Sequence, residues 1–273
     1  VHWKLRVIKH WMNNSNEVTL RELLRVIIDF SYKTKSKRRL ERINVMDECL
    51  EIILKNYREP LYIPKGLDLD LFYLIMEETF NKDHWHYYQI PQTRVEEDDV
   101  VLDCGAAEGL FTYTVAKHCK KVYAIEPVPD FVRCLRKSFA NRKNIEIIPG
   151  AISDQLGVMY LDEDTISSYI TDEFTNIKVD TWSIDDLFYK NSKSVDYIKA
   201  DLEGQELKML KGAKETIRKY KPKMAITTYH NIEDAEQIYN YIKSIDNNYN
   251  IKLKGIQARM GSYTMLHAWP EKQ

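Results

Sequence analysis

Four polar side chains stand where apolar runs end. Asp103 lies near the end of Val100-Val-Leu-Asp-Cys104, Glu126 ends Lys121-Val-Tyr-Ala-Ile-Glu126, Asp201 follows Tyr197-Ile-Lys-Ala200, and His230 follows Met224-Ala-Ile-Thr-Thr-Tyr229. In an open α/β sheet, groups at the carboxyl ends of strands face the ligand crevice. A carboxylate about twenty residues past a glycine turn is placed to accept hydrogen bonds from both hydroxyls of a ribose. Glu126 fits that role. The turn itself reads Gly105-Ala-Ala-Glu-Gly109, not G-x-G-x-x-G. It lacks the close-approach glycine pattern that cradles a pyrophosphate. A nucleoside without phosphates suits it better, and S-adenosylmethionine is such a cofactor. Gly105, Ala106, Ala107, Glu108 and Gly109 would then meet the methionine part, with Phe111 and Thr112 opening the next helix. Pro127 follows the ribose acid, and Ala151 and Ile152 are expected against the adenine. Asp103 is expected to organise the turn, or to reach the cofactor ammonium through water.

A second constellation lies in Asp196-Tyr-Ile-Lys-Ala-Asp-Leu-Glu-Gly-Gln-Glu206. Asp201 and Glu203 are placed to border the sulfonium and an acceptor hydroxyl, or else to cap the helix that Gly204 opens. An imidazole with an ordinary pKa near ~6.5 can take a proton from a hydroxyl, so His230 is a candidate general base. A sulfonium is already a strong electrophile, and much of the rate comes from holding the oxygen in line with the methyl–sulfur bond. Tyr229 would shape the acceptor pocket. Ser167 and Ser168 either touch the acceptor or cofactor or form a plain turn. His84 and His86 in His84-Trp-His-Tyr-Tyr88 could share one side of a strand as metal ligands, but no third ligand is near in sequence. An aromatic cleft wall and ordinary packing compete with that reading. No metal is assigned.

The elements that must position these groups follow from periodicity. Strands are expected at 100–104, 121–126, 144–149, 195–201 and 222–228, and a final β pair at 249–254 and 263–269. Helices are expected at 109–118, 129–141, 205–219 and 231–245. The stretch 151–182 reads as short strands and turns. This is an α/β, mostly parallel seven-stranded sheet with helices on both faces and an antiparallel last strand. Residues 1–58 read as a helical N-terminal extension. Thr19-Leu-Arg-Glu22 is a capping box. Leu20, Leu23, Leu24, Ile27 and Ile28 form one stripe, and Ile43, Met46, Leu50, Ile53 and Leu54 a second. The stripes are expected to cap the main domain or to form a homo-oligomer interface. Residues 59–95 form a connector and a helix capped by Asp68, and 96–273 the catalytic domain.

Composition narrows the classes further. The 273-residue chain is 30% charged with a net charge of −1, which gives no global bias toward nucleic acid or membrane. Basic residues crowd 33–42, at a solvated helix end or linker or as a patch for an acidic group. Cys49, Cys104, Cys119 and Cys134 show no C-x-x-C spacing, which predicts free thiols in a reducing, cytoplasmic setting. No apolar run reaches membrane-span length and no signal peptide is visible. The chain opens on Val1 rather than Met, which is compatible with a preceding targeting segment or domain.

With these residues in view, positions 96–268 resemble the FkbM family of S-adenosylmethionine-dependent methyltransferases. The resemblance rests on Val100-Val-Leu-Asp-Cys-Gly-Ala-Ala-Glu-Gly109, Val122-Tyr-Ala-Ile-Glu-Pro127, Ile148-Pro-Gly-Ala-Ile-Ser-Asp154, Ile198-Lys-Ala-Asp-Leu-Glu-Gly204 and Lys221-Pro-Lys-Met-Ala-Ile-Thr-Thr-Tyr-His230. The Lys-x-Asp-x-Glu-Gly segment, followed by Leu210-Lys-Gly-Ala213, is the most specific piece. The resemblance implies a class I (Rossmann-like) methyltransferase fold and O-methylation of a hydroxyl on a sugar, glycan or related metabolite. Ala107 departs from the asparagine frequent in the family, and the N-terminal region lies outside the resemblance. Two alternatives remain. One is a cofactor-binding or scaffold module without catalysis. The other is a metal-assisted methyltransferase with Asp201 and His230 among the ligands.

Overall fold

The structure is a computed structural model that describes residues 2–13, 17–28, 32–161 and 177–271. The N-terminal part opens with helices α1 (His2–Asn13), α2 (Leu20–Ile28) and α3 (Tyr32–Arg39). The capping box forms at the start of α2. The Glu22 carboxylate accepts from the Thr19 backbone N–H at 2.8 Å, and the Glu22 N–H donates to the Thr19 hydroxyl at 3.2 Å. Leu23 turns inward with Val7, Val18, Trp85 and Ile256, whereas Leu20, Leu24 and Ile28 of the same stripe stay exposed. Helix α3 carries the basic stretch. Its lysines are occupied locally: Lys33 pairs with Asp70 at 2.6 Å, Lys35 approaches Glu77 at 3.6 Å, and Lys37 sits over the Tyr73 ring.

The second stripe is not helical, which corrects the expectation of an all-helical extension through residue 58. Residues 40–64 form an antiparallel sheet of β1 (Leu40–Val45), β2 (Cys49–Leu54) and β3 (Leu61–Pro64). Leu50, Ile52 and Leu54 alternate inward and are buried, while the hairpin pairs Val45 with Leu50. The same residues carry both a period near 3.6 and a period of 2, and only pairing with β3 selects the second. This sheet shares a core with α4 (Leu69–Phe80), which Asp68 caps by accepting from the Asp70 N–H at 2.8 Å.

The main sheet starts with β4 (Val100–Cys104), in which every residue is buried. Then follow α5 (Leu110–Val115), β5 (Lys121–Glu126), α6 (Pro129–Ser138) and β6 (Ile145–Pro149). A small sheet of β7 (Ala151–Ile152), β8 (Gly157–Leu161) and β9 (Ile177–Trp182) comes next, and then a π-helical turn at Asp185–Tyr189. The chain returns through β10 (Tyr197–Ala200), α7 (Glu206–Lys211), α8 (Lys214–Tyr220), β11 (Lys223–Thr227), α9 (Asp234–Ile245), β12 (Tyr249–Lys254) and β13 (Met265–Pro270). The expected helix at 205–219 breaks at Gly212, where a Cβ would lie 2.3 Å from the Ser153 carbonyl oxygen.

The seven strands run in the order β12-β13-β11-β10-β4-β5-β6. β13 is antiparallel to both its neighbours and the other pairs are parallel, as the sequence pattern predicts. From β4 the chain winds one way to β5 and β6, and it later winds the other way from β10 to β11. The β4/β10 boundary is therefore the switch point where a crevice opens. No helix among the described residues is long and apolar enough to cross a membrane. Ile52 is fully buried where the N-terminal sheet meets α4. Ile52→Ala is expected to lower unfolding free energy by about 2–5 kcal/mol in urea titration.

Candidate active site

At the switch point, Asp103 of β4 faces Lys199 of β10 in register. Their charged atoms lie 3.2 Å apart, with the two side chains 0% and 6% exposed. Thr112 donates its hydroxyl to the other Asp103 oxygen at 2.6 Å, and Lys199 also donates to the Gly105 carbonyl. Burial works against the Lys199 charge, but Asp103 and Asp201 hold its pKa above the usual lysine range. The pair therefore pins the turn from behind. Gly105 lies at φ +75°, and a Cβ there would stand 2.0 Å from the Asp201 carbonyl oxygen, so only glycine permits this approach of the two strand ends. Gly109, at φ +82°, faces Leu135 and Phe139 on α6.

Glu126 ends β5 with 4% exposure. One carboxylate oxygen accepts from the Ala107 N–H at 2.8 Å, the other from the Val128 N–H at 2.9 Å. These bonds fix the carboxylate plane and leave each oxygen with lone-pair capacity. Burial pushes its pKa up to about 7, against the pull of the two N–H donors. Neighbouring Glu108 is likewise pushed up to about 7 by burial.

Asp201 stands across the crevice. It accepts from the Tyr88 hydroxyl at 2.8 Å, and the His86 and His230 Nε2 atoms each lie 3.7 Å from one of its oxygens. Burial would raise its pKa, but His86, Lys199 and His230 hold it below the ordinary carboxylate value. Burial drives His86 down to about 4, so that ring is neutral, and its Nε2 lies 3.3 Å from the Tyr229 hydroxyl. His84 and His86 sit in turns rather than on a strand, and His84 Nδ1 accepts from the His86 N–H. His230 approaches Glu206 Oε1 at 2.9 Å through Nδ1 and Glu203 Oε2 at 3.4 Å through Nε2. Burial opposes its charge, yet Glu206, Asp201 and Glu203 raise its pKa to about 9. The sequence reading took this imidazole as a candidate general base with an ordinary pKa; the three carboxylates around it shift that pKa upward instead. Glu203 takes φ +50° just before Gly204, which aims the chain from the strand into α7.

A cavity of about 470 Å³ fills the crevice. Its lining includes Gly105, Ala106, Ala107, Glu108, Phe111, Glu126, Pro127, Ala151, Ile152, Asp201, Glu203 and Tyr229. Asp103, Gly109, Thr112 and His230 are absent from the lining and act from the layer behind. Ser167 and Ser168 fall outside the described residues. Sequence reasoning missed the far wall: Leu71, Leu74, Ile75 and Glu78 of α4, with Met159 of β8. Burial, with Asp201 and Glu108 adding to it, pushes the Glu78 pKa up to about 8. The one available signal was Glu78 itself, an acid inside an otherwise apolar helical stripe.

Removing one member of a buried pair strands the other charge. Lys199→Met is expected to cost about 3–5 kcal/mol in denaturant unfolding, and Asp103→Asn added to it is expected to recover part of that loss.

The profile of the methyltransferase FkbM domain matches residues 103–251, more than half of the chain. Among solved structures, a methyltransferase FkbM from Methylobacillus flagellatus KT superposes with a TM-score of 0.52 at 23% identity, over 75% of this chain and 56% of that one. At that identity the likeness concerns the fold, here the class I methyltransferase sheet. A curated relative, a probable cobalt-precorrin-6B C(15)-methyltransferase (decarboxylating) of Methanocaldococcus jannaschii, is 33% identical over 94 residues, 31% of this chain and 51% of its own length. A probable ribosomal RNA small subunit methyltransferase A of Methanosarcina barkeri is 47% identical over 70 residues, 26% of this chain and 23% of its own length. The chain thus spans about half or less of these curated relatives. The matched domain contains the glycine turn, Glu126 and the Asp201 segment together, and the chain belongs to the FkbM methyltransferase domain family.

Proposed function

We propose that the protein is an S-adenosylmethionine-dependent O-methyltransferase acting on a hydroxyl of a sugar, glycan precursor or related metabolite. The observation that carries this reading is the continuity of the cavity from Glu126 past Asp201 to α4, which gives donor and acceptor one shared space. The residues fit the cofactor. The Glu126 oxygens retain acceptor capacity for two ribose hydroxyls, Ala151 and Ile152 offer an apolar bed for adenine, and Gly105 to Glu108 bring backbone to the methionine end. When bound, the cofactor supplies an electrophilic methyl group. Asp201, ionised and 22% exposed, accepts a hydrogen bond from the acceptor hydroxyl and orients its oxygen. Tyr88 and His86 hold the Asp201 carboxylate, and Tyr229 walls the acceptor side. Leu71, Leu74 and Ile75 opposite favour an acceptor with an apolar portion beside its hydroxyls.

The setting follows the same reading. The free thiols of Cys49, Cys104 and Cys134 are buried, which supports a reducing, cytoplasmic location. Exposed Leu20, Leu24 and Ile28 are the surface on which a homo-oligomer contact would form.

Calorimetry is expected to show binding of S-adenosylmethionine and none of NAD; the reverse result overturns the reading. A group with a folded pKa of about 7 must lose its proton to accept two hydroxyls. Cofactor affinity is therefore expected to rise about tenfold between pH 6 and pH 8. Glu126→Gln is expected to weaken binding and to flatten that dependence. Asp201→Asn is expected to lower kcat by on the order of 10²-fold or more, with a much smaller change in cofactor Kd, in single-turnover assays.

A further inference from the structure

Behind the cavity floor, one potential ligand atom each from Asp201, Glu206 and His230 lies within 4.8 Å of the others. The three come from two separate strand ends: Asp201 follows β10 and Glu206 opens α7, while His230 follows β11. Three features of the cluster go beyond a cap or an ion pair.

The first is charge. Asp201 and Glu206, with side chains 22% and 1% exposed, flank one imidazole, which offsets at most one of their two charges; Glu203 beside them is largely exposed. The nearest buried ammonium, Lys199, is already committed to Asp103. Buried charge of one sign without a counter-charge is costly. The second is an orphan. Glu206 is 1% exposed and its Oε1 accepts from the Leu202 N–H and the Thr227 hydroxyl, yet its Oε2 has no hydrogen-bond partner among the described residues. The third is the ring. The His230 side chain is 10% exposed, and among the described residues neither nitrogen makes an aligned hydrogen bond although both lie close to carboxylate oxygens. A coordination bond satisfies all three features. It uses lone pairs rather than aligned N–H groups, and it supplies the missing positive charge.

We propose that Asp201, Glu206 and His230 bind one divalent cation. Two carboxylates and one imidazole form a mixed hard and borderline donor set, which suits Mn²⁺. Three protein ligands leave positions open for water or an acceptor oxygen. Asp201 also lines the cavity, so the ion would border the acceptor site. This inference rests on the methyl-transfer reading and adds to it: a hydroxyl on the cation is more acidic and better held. In the transfer, the acceptor oxygen forms a bond to the methyl carbon. The carbon–sulfur bond breaks with its electron pair left on sulfur, and the hydroxyl proton leaves to water. The inference takes up the metal-assisted alternative read from sequence, with Asp201 and His230 among the ligands, and adds Glu206, which in sequence reads as part of a helix start.

The test is titration of the chelator-treated full chain with Mn²⁺, followed by electron paramagnetic resonance with neither cofactor nor acceptor present. One ion per chain is expected, with nitrogen coupling from a single imidazole in the spin-echo spectrum. Glu206→Gln and His230→Gln are expected to weaken binding at least tenfold. Glu108→Gln, which removes a buried carboxylate elsewhere in the same cavity, is expected to leave it nearly unchanged. Absence of stoichiometric binding, or a bound ion without nitrogen coupling, overturns the proposal. An equal loss in Glu108→Gln does so too, since it would mean a diffuse field rather than ligation. The spectrum of the unmodified protein decides the matter if a variant fails to fold. Cofactor calorimetry is a separate measurement: loss of metal binding with cofactor binding intact rejects the cation site alone.

Discussion

The buried contact between Lys199 and Asp103 is the constraint from which the site follows. It joins the two neighbouring strands β4 and β10 near their carboxyl ends, and it occurs with the Lys199 ammonium also bound to the Gly105 carbonyl. The glycine turn is thereby held against the Asp201 backbone, with no room for a side chain at residue 105. Two loops that are distant in sequence become the two lips of one crevice. A buried ion pair is a poor source of stability, since desolvation offsets most of its attraction. Its value here is positional, because the partners cannot separate without leaving a charge in the core.

Around this anchor the charges are sorted by environment. Glu126, held by two backbone donors, lines one side of the cavity. Asp201, near cationic groups, is held below the ordinary carboxylate range across the crevice. Glu78, Glu108 and Glu126, all pushed up by burial, are the acids most ready to hold a proton at neutral pH. His86 is neutral and His230 charged although both approach Asp201 at 3.7 Å. The difference lies in burial and the other neighbours: the carboxylates of Glu206 and Glu203 for His230, and full burial with the Lys199, His230 and Lys254 cations for His86. Two identical side chains thus take different states at one site.

The parallel sheet was legible because its strands are continuous apolar runs ended by polar residues, a pattern few other arrangements produce. Asp103, Glu126 and Asp201 were placed by the same logic. The hairpin at 40–54 was not legible. Ile43, Met46, Leu50 and Leu54 satisfy a helical stripe as well as a strand, and the choice is made by β3, a partner supplied from beyond a connector. The α4 wall was missed for a related reason. Local patterning does not distinguish Leu71, Leu74 and Ile75 from core positions, and only the tertiary arrangement leaves part of that face uncovered above the crevice.

By itself, the sequence determined the order of the main-sheet strands from residue 100 onward, the family, and which residues stand at strand ends, because these depend on local patterning and short motifs. The tertiary structure alone decided which of those residues face the cavity and which brace it from behind. It also decided which acids keep their protons, and that His230 sits among three carboxylates. Those properties depend on distance and desolvation between groups up to about a hundred residues apart, such as Gly105 and Asp201. Spacing along the chain carries no measure of either quantity.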